Sequence, residues 1–335
     1  SYTDDFMYSR TDNPNRRTLE QALATLEGGS AAYAFSSGMA AVAAVFQSLS
    51  PGDHVILPDD IYFNIYLLAD RIYKRWGLEF TSVDMRNPEA IQQACRKNTR
   101  LIWTESPSNP QLKITDIAAV VDIARPQNIL VAVDNTWPTP VWQRPLALGA
   151  DLVIHSTTKY FGGHSDVIGG CVITRDSTGL SERFRDIQNL SGAVPAPFDC
   201  WLISRGIQTL HVRVRAQTKT AGRLATFLDQ HPKIEQVNYP GLESHAGHDI
   251  AKKQMSGYGA MLSALVKGSG KQAIETSNRL RLFTTATSLG GVESLVEHRK
   301  SIEGPHSLTP DNLLRISVGL ENEEDLIRDW EQALR

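Results

Sequence analysis

Apolar positions in the first half of the chain alternate between two textures: residues spaced three and four apart, and short runs that are apolar throughout. Residues 18–27 carry leucines and alanines at helical spacing and stop at Gly28-Gly29, a helix-ending signal. Residues 31–35 read as a short strand, and Ser36-Ser37-Gly38 opens a second helix over 39–49, halted by Pro51-Gly52. A strand is predicted at 54–57 and a single helix over 62–76. Further apolar strands are expected at 79–83, 101–104, 129–133 and 152–154, with helical stretches at 88–97 and 115–125. Strands that are apolar on both faces and alternate with helices predict an α/β fold, a mostly parallel sheet covered on both sides.

Beyond about residue 200 the texture changes. A long amphipathic helix is predicted over 201–230, followed by apolar segments at 259–266 and 313–318 and a closing helix over 323–334. This reads as a smaller α+β domain. The expected organisation is an N-terminal arm over 1–17, a large domain over 18–215 and a C-terminal domain over 216–335. No internal repeat or low-complexity tract interrupts it.

Composition narrows the function classes. With 335 residues the chain is too long for one simple core, which favours two domains. Lys+Arg 34 against Asp+Glu 37 gives a net charge of −3, without the basic footprint of a nucleic-acid binder. No apolar run reaches the roughly 18 residues of a membrane span, and the opening Ser1-Tyr2-Thr3-Asp4-Asp5 does not read as a signal or transit peptide. The three cysteines, Cys95, Cys171 and Cys200, are widely spaced, which excludes a disulfide framework and a Cys-x-x-Cys metal clip. A cytoplasmic protein without a metal is expected.

The candidate chemistry centres on Lys159, just past the apolar run Leu152-Val153-Ile154 in His155-Ser156-Thr157-Thr158-Lys159-Tyr160-Phe161-Gly162-Gly163. A lysine kept in an enclosed site and losing its proton is an amine nucleophile that condenses with carbonyls. Other signals stand at strand ends, where open α/β sheets bind ligands. Ser36-Ser37-Gly38-Met39 leads into a helix and presents backbone N–H groups to an anion, although any helix can start this way. Asp134 closes the apolar strand 129–133, where it either pairs with a cation such as a protonated ring nitrogen or caps the next turn. Asn109 lies in the double-proline turn Ser106-Pro107-Ser108-Asn109-Pro110. Tyr62 stands at a strand-to-helix junction, positioned to stack on a flat ligand or to pack in the core. Arg315 interrupts an apolar strand and either grips a carboxylate bidentately or serves a structural ion pair. Together these are the groups needed to hold pyridoxal 5′-phosphate (PLP) and an amino-acid substrate.

The chain closely resembles the Cys/Met-metabolism family of PLP enzymes: the cystathionine γ-synthases, γ-lyases and β-lyases and methionine γ-lyase. The resemblance is carried by Tyr8-Ser9-Arg10, Leu26-Glu27-Gly28-Gly29, Ser37-Gly38-Met39-Ala40 and Glu105-Ser106-Pro107-Ser108-Asn109-Pro110. It continues through Val133-Asp134-Asn135-Thr136, Thr158-Lys159-Tyr160, Ser288-Leu289-Gly290-Gly291-Val292-Glu293-Ser294 and Leu314-Arg315-Ile316-Ser317-Val318-Gly319. It implies a PLP-dependent transferase fold of the aspartate-aminotransferase type, with a seven-stranded, mostly parallel sheet in the large domain and a smaller C-terminal α+β domain. It further implies that Lys159 attaches the cofactor and shuttles protons, and that Asp134 pairs with the pyridinium nitrogen. Tyr62 would stack on the ring and assist proton transfer. Gly38, Met39, Ser156 and Thr158 would bind the phosphate, and Tyr8 and Arg10 would reach the phosphate of a neighbouring subunit. Asn109 would touch the 3′-oxygen or the substrate carboxylate, and Arg315, Ser288 and Leu289 would hold that carboxylate. A homo-oligomer is implied, usually a dimer of dimers.

The wording of the motifs resembles the γ-acting members more than the β-lyases, which implies γ-elimination or γ-replacement on a homoserine-derived amino acid. A β-lyase and a non-catalytic PLP-binding relative are the alternatives. The chain departs from the family pattern at Thr287, where an acidic residue is usual, at Phe63-Asn64 in place of Gly-Gly, and at Thr11-Asp12. It departs again at Glu297-His298-Arg299-Lys300, in place of an apolar-proline stretch. A nicotinamide dehydrogenase is disfavoured, because no Gly-x-Gly-x-x-Gly fingerprint occurs.

Overall fold

The computed structural model describes residues 6–176, 179–304 and 307–335. The opening pentapeptide, and with it the outer end of the expected 1–17 arm, lies outside the described residues. Helix α1 (Pro14–Glu27) begins four residues before the position predicted. Asn13 caps it, its side-chain oxygen accepting the Asn15 N–H at 3.0 Å, and Pro14 pre-sets the first helical φ.

The first sheet draws on β1 (Ala31–Phe35), β2 (His54–Pro58), β3 (Glu79–Val83), β4 (Thr99–Glu105), β5 (Leu130–Asp134), β6 (Leu152–His155) and β7 (Gly170–Thr174). Its order is β1-β7-β6-β5-β4-β2-β3, with β7 antiparallel to both neighbours and the remaining pairs parallel. Away from the edge strand β3 both faces are buried, and residues divide between them with period two. Val55, Leu57, Leu101, Trp103 and Ala132 pack with α2 (Gly38–Gln47), α3 (Phe63–Arg71) and α7 (Gly179–Ser191). Ile56, Ile102, Val131 and Val133 face α4 (Pro88–Ala94) and α5 (Ile117–Ala124) on the other side. Strand β7 was not expected: it follows Gly169 and starts with Gly170, residues that weaken a strand signal.

Two predicted helices are broken in the structure. The 62–76 segment is helical only to Arg71 and then tightens into a 3₁₀ turn, Tyr73–Trp76. After the short α6 (Thr139–Trp142), the segment predicted as one helix over 201–230 is divided between α8 (Pro197–Ile207), which starts four residues earlier, and α9 (Leu210–Asp229). The bend between them follows Gly206, which lies against the chain at 161–162: a Cβ there would stand 2.3 Å from Phe161 O and 2.4 Å from Gly162 O. Helix α9 runs across position 215, where the large domain was expected to end.

The second sheet uses β8 (Ile234–Asn238), β9 (Met261–Val266), β10 (Thr284–Thr285), β11 (Leu295–His298) and β12 (Leu313–Ser317) in the order β10-β11-β12-β9-β8. Between and after these strands lie α10 (His248–Gln254), α11 (Gly270–Arg279), α12 (Arg299–Glu303) and α13 (Glu323–Ala333). No helix among the described residues is long and apolar enough to cross a membrane.

Candidate active site

A cavity of about 440 Å³ opens where β4, β5 and β6 end and α2 begins, and residues 287–289, α12 and Arg315 close it from the second sheet. Strand ends put Glu105, Asp134 and Ile154 on its floor. The turn after β6 brings Lys159 in: the Lys159 N–H donates to Ser156 O at 3.2 Å, and Gly163 N–H donates to Lys159 O at 2.8 Å. Lys159 Nζ donates to Ser288 Oγ at 3.0 Å, across a sequence gap of 129 residues. Burial, chiefly, and the Arg315 and Arg299 guanidiniums lower its amine to about 8, with the Glu297 carboxylate acting in the other direction.

The start of α2 forms an anion cradle. Ser37 caps the helix by accepting the Ala40 N–H at 3.0 Å, leaving Gly38 and Met39 on the cavity wall at the positive end of the helix dipole. A side chain at residue 38 would fill the cradle, since its Cβ would lie 2.9 Å from both Cβ and Oγ of Ser156. The Ser156 N–H donates to Thr136 Oγ1 at 2.9 Å. Thr158 also lines the cavity, but its hydroxyl is engaged within the loop: it donates to Gly169 O at 3.1 Å and accepts the Gly169 N–H at 3.0 Å.

Opposite the cradle, Asp134 Oδ1 accepts the Thr136 N–H at 2.9 Å. Burial raises the Asp134 carboxyl, against the Thr136 hydrogen bonds and the charge of His155. A cation on the cavity side would stabilise its ionised form. Tyr62 is held at both ends: its N–H donates to Glu105 Oε2 at 3.0 Å and its hydroxyl accepts Asn64 Nδ2 at 2.8 Å. Arg315 donates from Nη1 to Asn109 Oδ1 at 3.2 Å and from Nη2 to Ser288 O at 3.0 Å, and pairs with Glu297 at 2.5 Å. Burial lowers it to about 10 despite the Glu297 charge. Ser288 adopts φ +94°, and Leu289 beside it is buried.

Eleven expected residues therefore share one cavity: Gly38, Met39, Tyr62, Asn109, Asp134, Ser156, Thr158, Lys159, Ser288, Leu289 and Arg315. Thr287, Phe63 and Asn64 also line it. Tyr8 and Arg10 are not on its wall. They are exposed, the Arg10 guanidinium lies 5.1 Å from the Tyr8 ring centroid, and Arg10 Nη1 donates to Asn189 O. Two buried carboxylates were missed, although each carries the signal that marked Asp134, an acid at the end of an apolar strand. Glu105 lies opposite Asp134 in the β4/β5 register, and burial with that neighbouring charge pushes its carboxyl well up. Asp60 follows β2 and binds the Asn109 turn through Ser108 Oγ, Gln111 N (3.1 Å) and Gln111 Nε2 (3.0 Å).

A lysine amine lowered to about 8, facing a carboxylate that seeks a cation and a helix start that seeks a phosphate, fits a phosphorylated ring aldehyde. The fold and the site together define a PLP-dependent enzyme. The chain belongs to the Cys/Met metabolism PLP-dependent enzyme family, whose family model matches residues 1–335. It is 47% identical over 335 residues to a cystathionine gamma-synthase of Mycobacterium bovis, covering 98% of this chain and 86% of that protein. It is 46% identical over 339 residues to a cystathionine gamma-lyase of Bacillus subtilis, covering 98% and 88%. The crystal structure of metB from Corynebacterium glutamicum superposes with a TM-score of 0.97 at 44% identity, over 99% of this chain and 88% of that one.

Proposed function

We propose that the enzyme eliminates or replaces the γ-substituent of a homoserine-derived amino acid, as the names of its γ-synthase and γ-lyase relatives suggest. One observation supports this reading above the others: Ser288 joins the amine base to the carboxylate anchor, its hydroxyl accepting from Lys159 Nζ and its carbonyl from Arg315 Nη2. An amino acid whose carboxylate rests on Arg315 then presents its Cα and Cβ side by side to the amine. Chemistry at Cγ requires this, since a proton must leave both carbons.

Bound PLP would supply the electron sink for the carbanion at Cα. The residues of this chain supply the rest. Asp134 would hold the proton on the ring nitrogen, while Gly38, Met39 and Ser156 would bind the phosphate, and Thr158 would join them by turning its O–H from Gly169 O. Tyr62 would stack on the ring, and its hydroxyl, oriented by Asn64, would move a proton. Lys159 Nζ would hold the cofactor and, once released, would remove the Cα proton. Asn109, Arg315, Ser288 and Leu289 hold the substrate carboxylate. In an assembled dimer of dimers in the cytoplasm, the exposed Tyr8 and Arg10 reach the phosphate of the neighbouring subunit.

The test is a substrate panel of O-acylhomoserines, cystathionine and methionine, each with and without cysteine. Release of a 2-oxo acid, or formation of a thioether, from γ-substituted substrates is expected. Release of pyruvate alone, by β-cleavage of cystathionine, would overturn the assignment.

A further inference from the structure

Four buried charged side chains of alternating sign run along the outer wall of the cavity. Glu297 faces Arg315 in the β11/β12 register. Its Oε2 accepts from Arg315 Nη2 at 2.5 Å and from Arg299 Nη1 at 3.0 Å. Arg299, the first residue of α12, also gives Nε and Nη2 to Glu303 Oε1 at 3.0 and 2.5 Å. The other oxygen of Glu303 accepts the Ser307 and Thr309 hydroxyls at 2.5 and 2.6 Å. All four charged side chains are at least nine-tenths buried, and Arg299, Glu303 and Arg315 line the cavity. Glu297 Oε1 is buried without a partner among the described residues.

Each buried charge carries a desolvation cost of several kcal/mol, and holding Arg315 in place requires only one counter-charge. The Glu303–Arg299 arm is therefore superfluous as scaffolding. It has a use if Arg315 must accept a second carboxylate. Two carboxylates on one guanidinium repel unless one of them is drawn elsewhere. Arg299 shares the same Glu297 oxygen that Arg315 holds, so part of that negative charge is already neutralised from the far side.

We propose that Arg299 is a positioning residue for the substrate: through Glu297 it frees Arg315 to bind the substrate carboxylate. The inference rests on the reading above, in which Arg315 is the carboxylate anchor.

The test uses the PLP-loaded enzyme and glycine, an amino acid with no side chain to lose. Its affinity is measured by calorimetry and by the change in visible absorbance. Arg299→Met should weaken glycine binding about tenfold, since the uncompensated Glu297 competes for Arg315. Arg299→Lys, which keeps the charge, should stay within about threefold of the wild type. Glu297→Gln should act in the opposite direction and tighten binding by about threefold or more. If Arg299→Met fails to fold, Arg299→Met combined with Glu303→Gln removes the charges as a pair and carries the same expectation. Weaker binding in both Arg299→Met and Glu297→Gln would mark the network as mere scaffolding and overturn the inference. Arg315→Met separates the two readings. If it leaves glycine affinity unchanged, the anchor assignment itself fails; if it abolishes binding while the other variants do not diverge in sign, only the role of Arg299 fails.

Discussion

Lys159 keeps a usable amine because its surroundings disfavour the ammonium: burial acts first, then the positive charges of Arg315 and Arg299. With the value lowered to about 8, the amine is protonated below that pH and free above it. Uptake of PLP by the cofactor-free protein should therefore accelerate through a midpoint near 8, followed by visible absorbance in a stopped-flow instrument. An ordinary lysine would place the midpoint near ~10.4, and a result there would remove the electrostatic account. At this scale the sequence was legible where a polar side chain interrupts an apolar run: Lys159, Asp134 and Arg315 all stood out in that way. Glu105 and Asp60 carried the same mark unread. Their partners, Tyr62 N–H and the Ser108–Gln111 turn, come from distant segments that only the folded chain brings together. Glu297 and Arg299 were legible only as a departure from the family pattern, because nothing in their spacing shows that one carboxylate oxygen bridges two guanidiniums.

The elements set the site by where they end. Strand β2 stops at Pro58, and the next residues carry both Asp60, which binds the Asn109 turn, and Tyr62, which lines the cavity. The buried Asp60 carboxylate accepts three donors from that turn. Asp60→Asn would turn one acceptor into a donor facing a donor, at a cost on the order of 1–3 kcal/mol. Thermal unfolding should report that loss, and KM for the amino acid should rise as Asn109 loosens from Arg315. An unchanged KM would separate Asp60 from the site. Element types were mostly readable because the central strands are apolar on both faces and leave little ambiguity of period. Element ends were less so. Helix 201–230 breaks behind Gly206, a residue small enough to lie on the carbonyls of 161 and 162, and a contact with a segment some forty residues earlier leaves no periodic trace.

At the scale of the whole molecule, the site exists only because two sheets meet. Lys159 and Asn109 come from the first, Ser288 and Arg315 from the second, and the contacts between them are single hydrogen bonds of 3.0 and 3.2 Å. Such bonds contribute roughly 1 kcal/mol each, too little to fix the two halves in register. The register is held farther back. Gln217, fully buried in α9, donates through Nε2 to Gly291 O at 2.7 Å and to Val318 O at 3.0 Å. One amide thereby fixes the loop after Ser288 and the segment after β12 to the helix that runs between the two sheets. Gln217→Ala would leave two buried carbonyls unpaired, on the order of 1–3 kcal/mol each. The phosphate cradle at the start of α2 and Asp134 at the end of β5 are untouched by that change. PLP affinity and the visible spectrum should therefore hold while the melting temperature falls and KM for the amino acid rises, because Ser288 and Arg315 are the groups set adrift. Loss of PLP in parallel with substrate would instead mean that α9 supports the first sheet as much as the second.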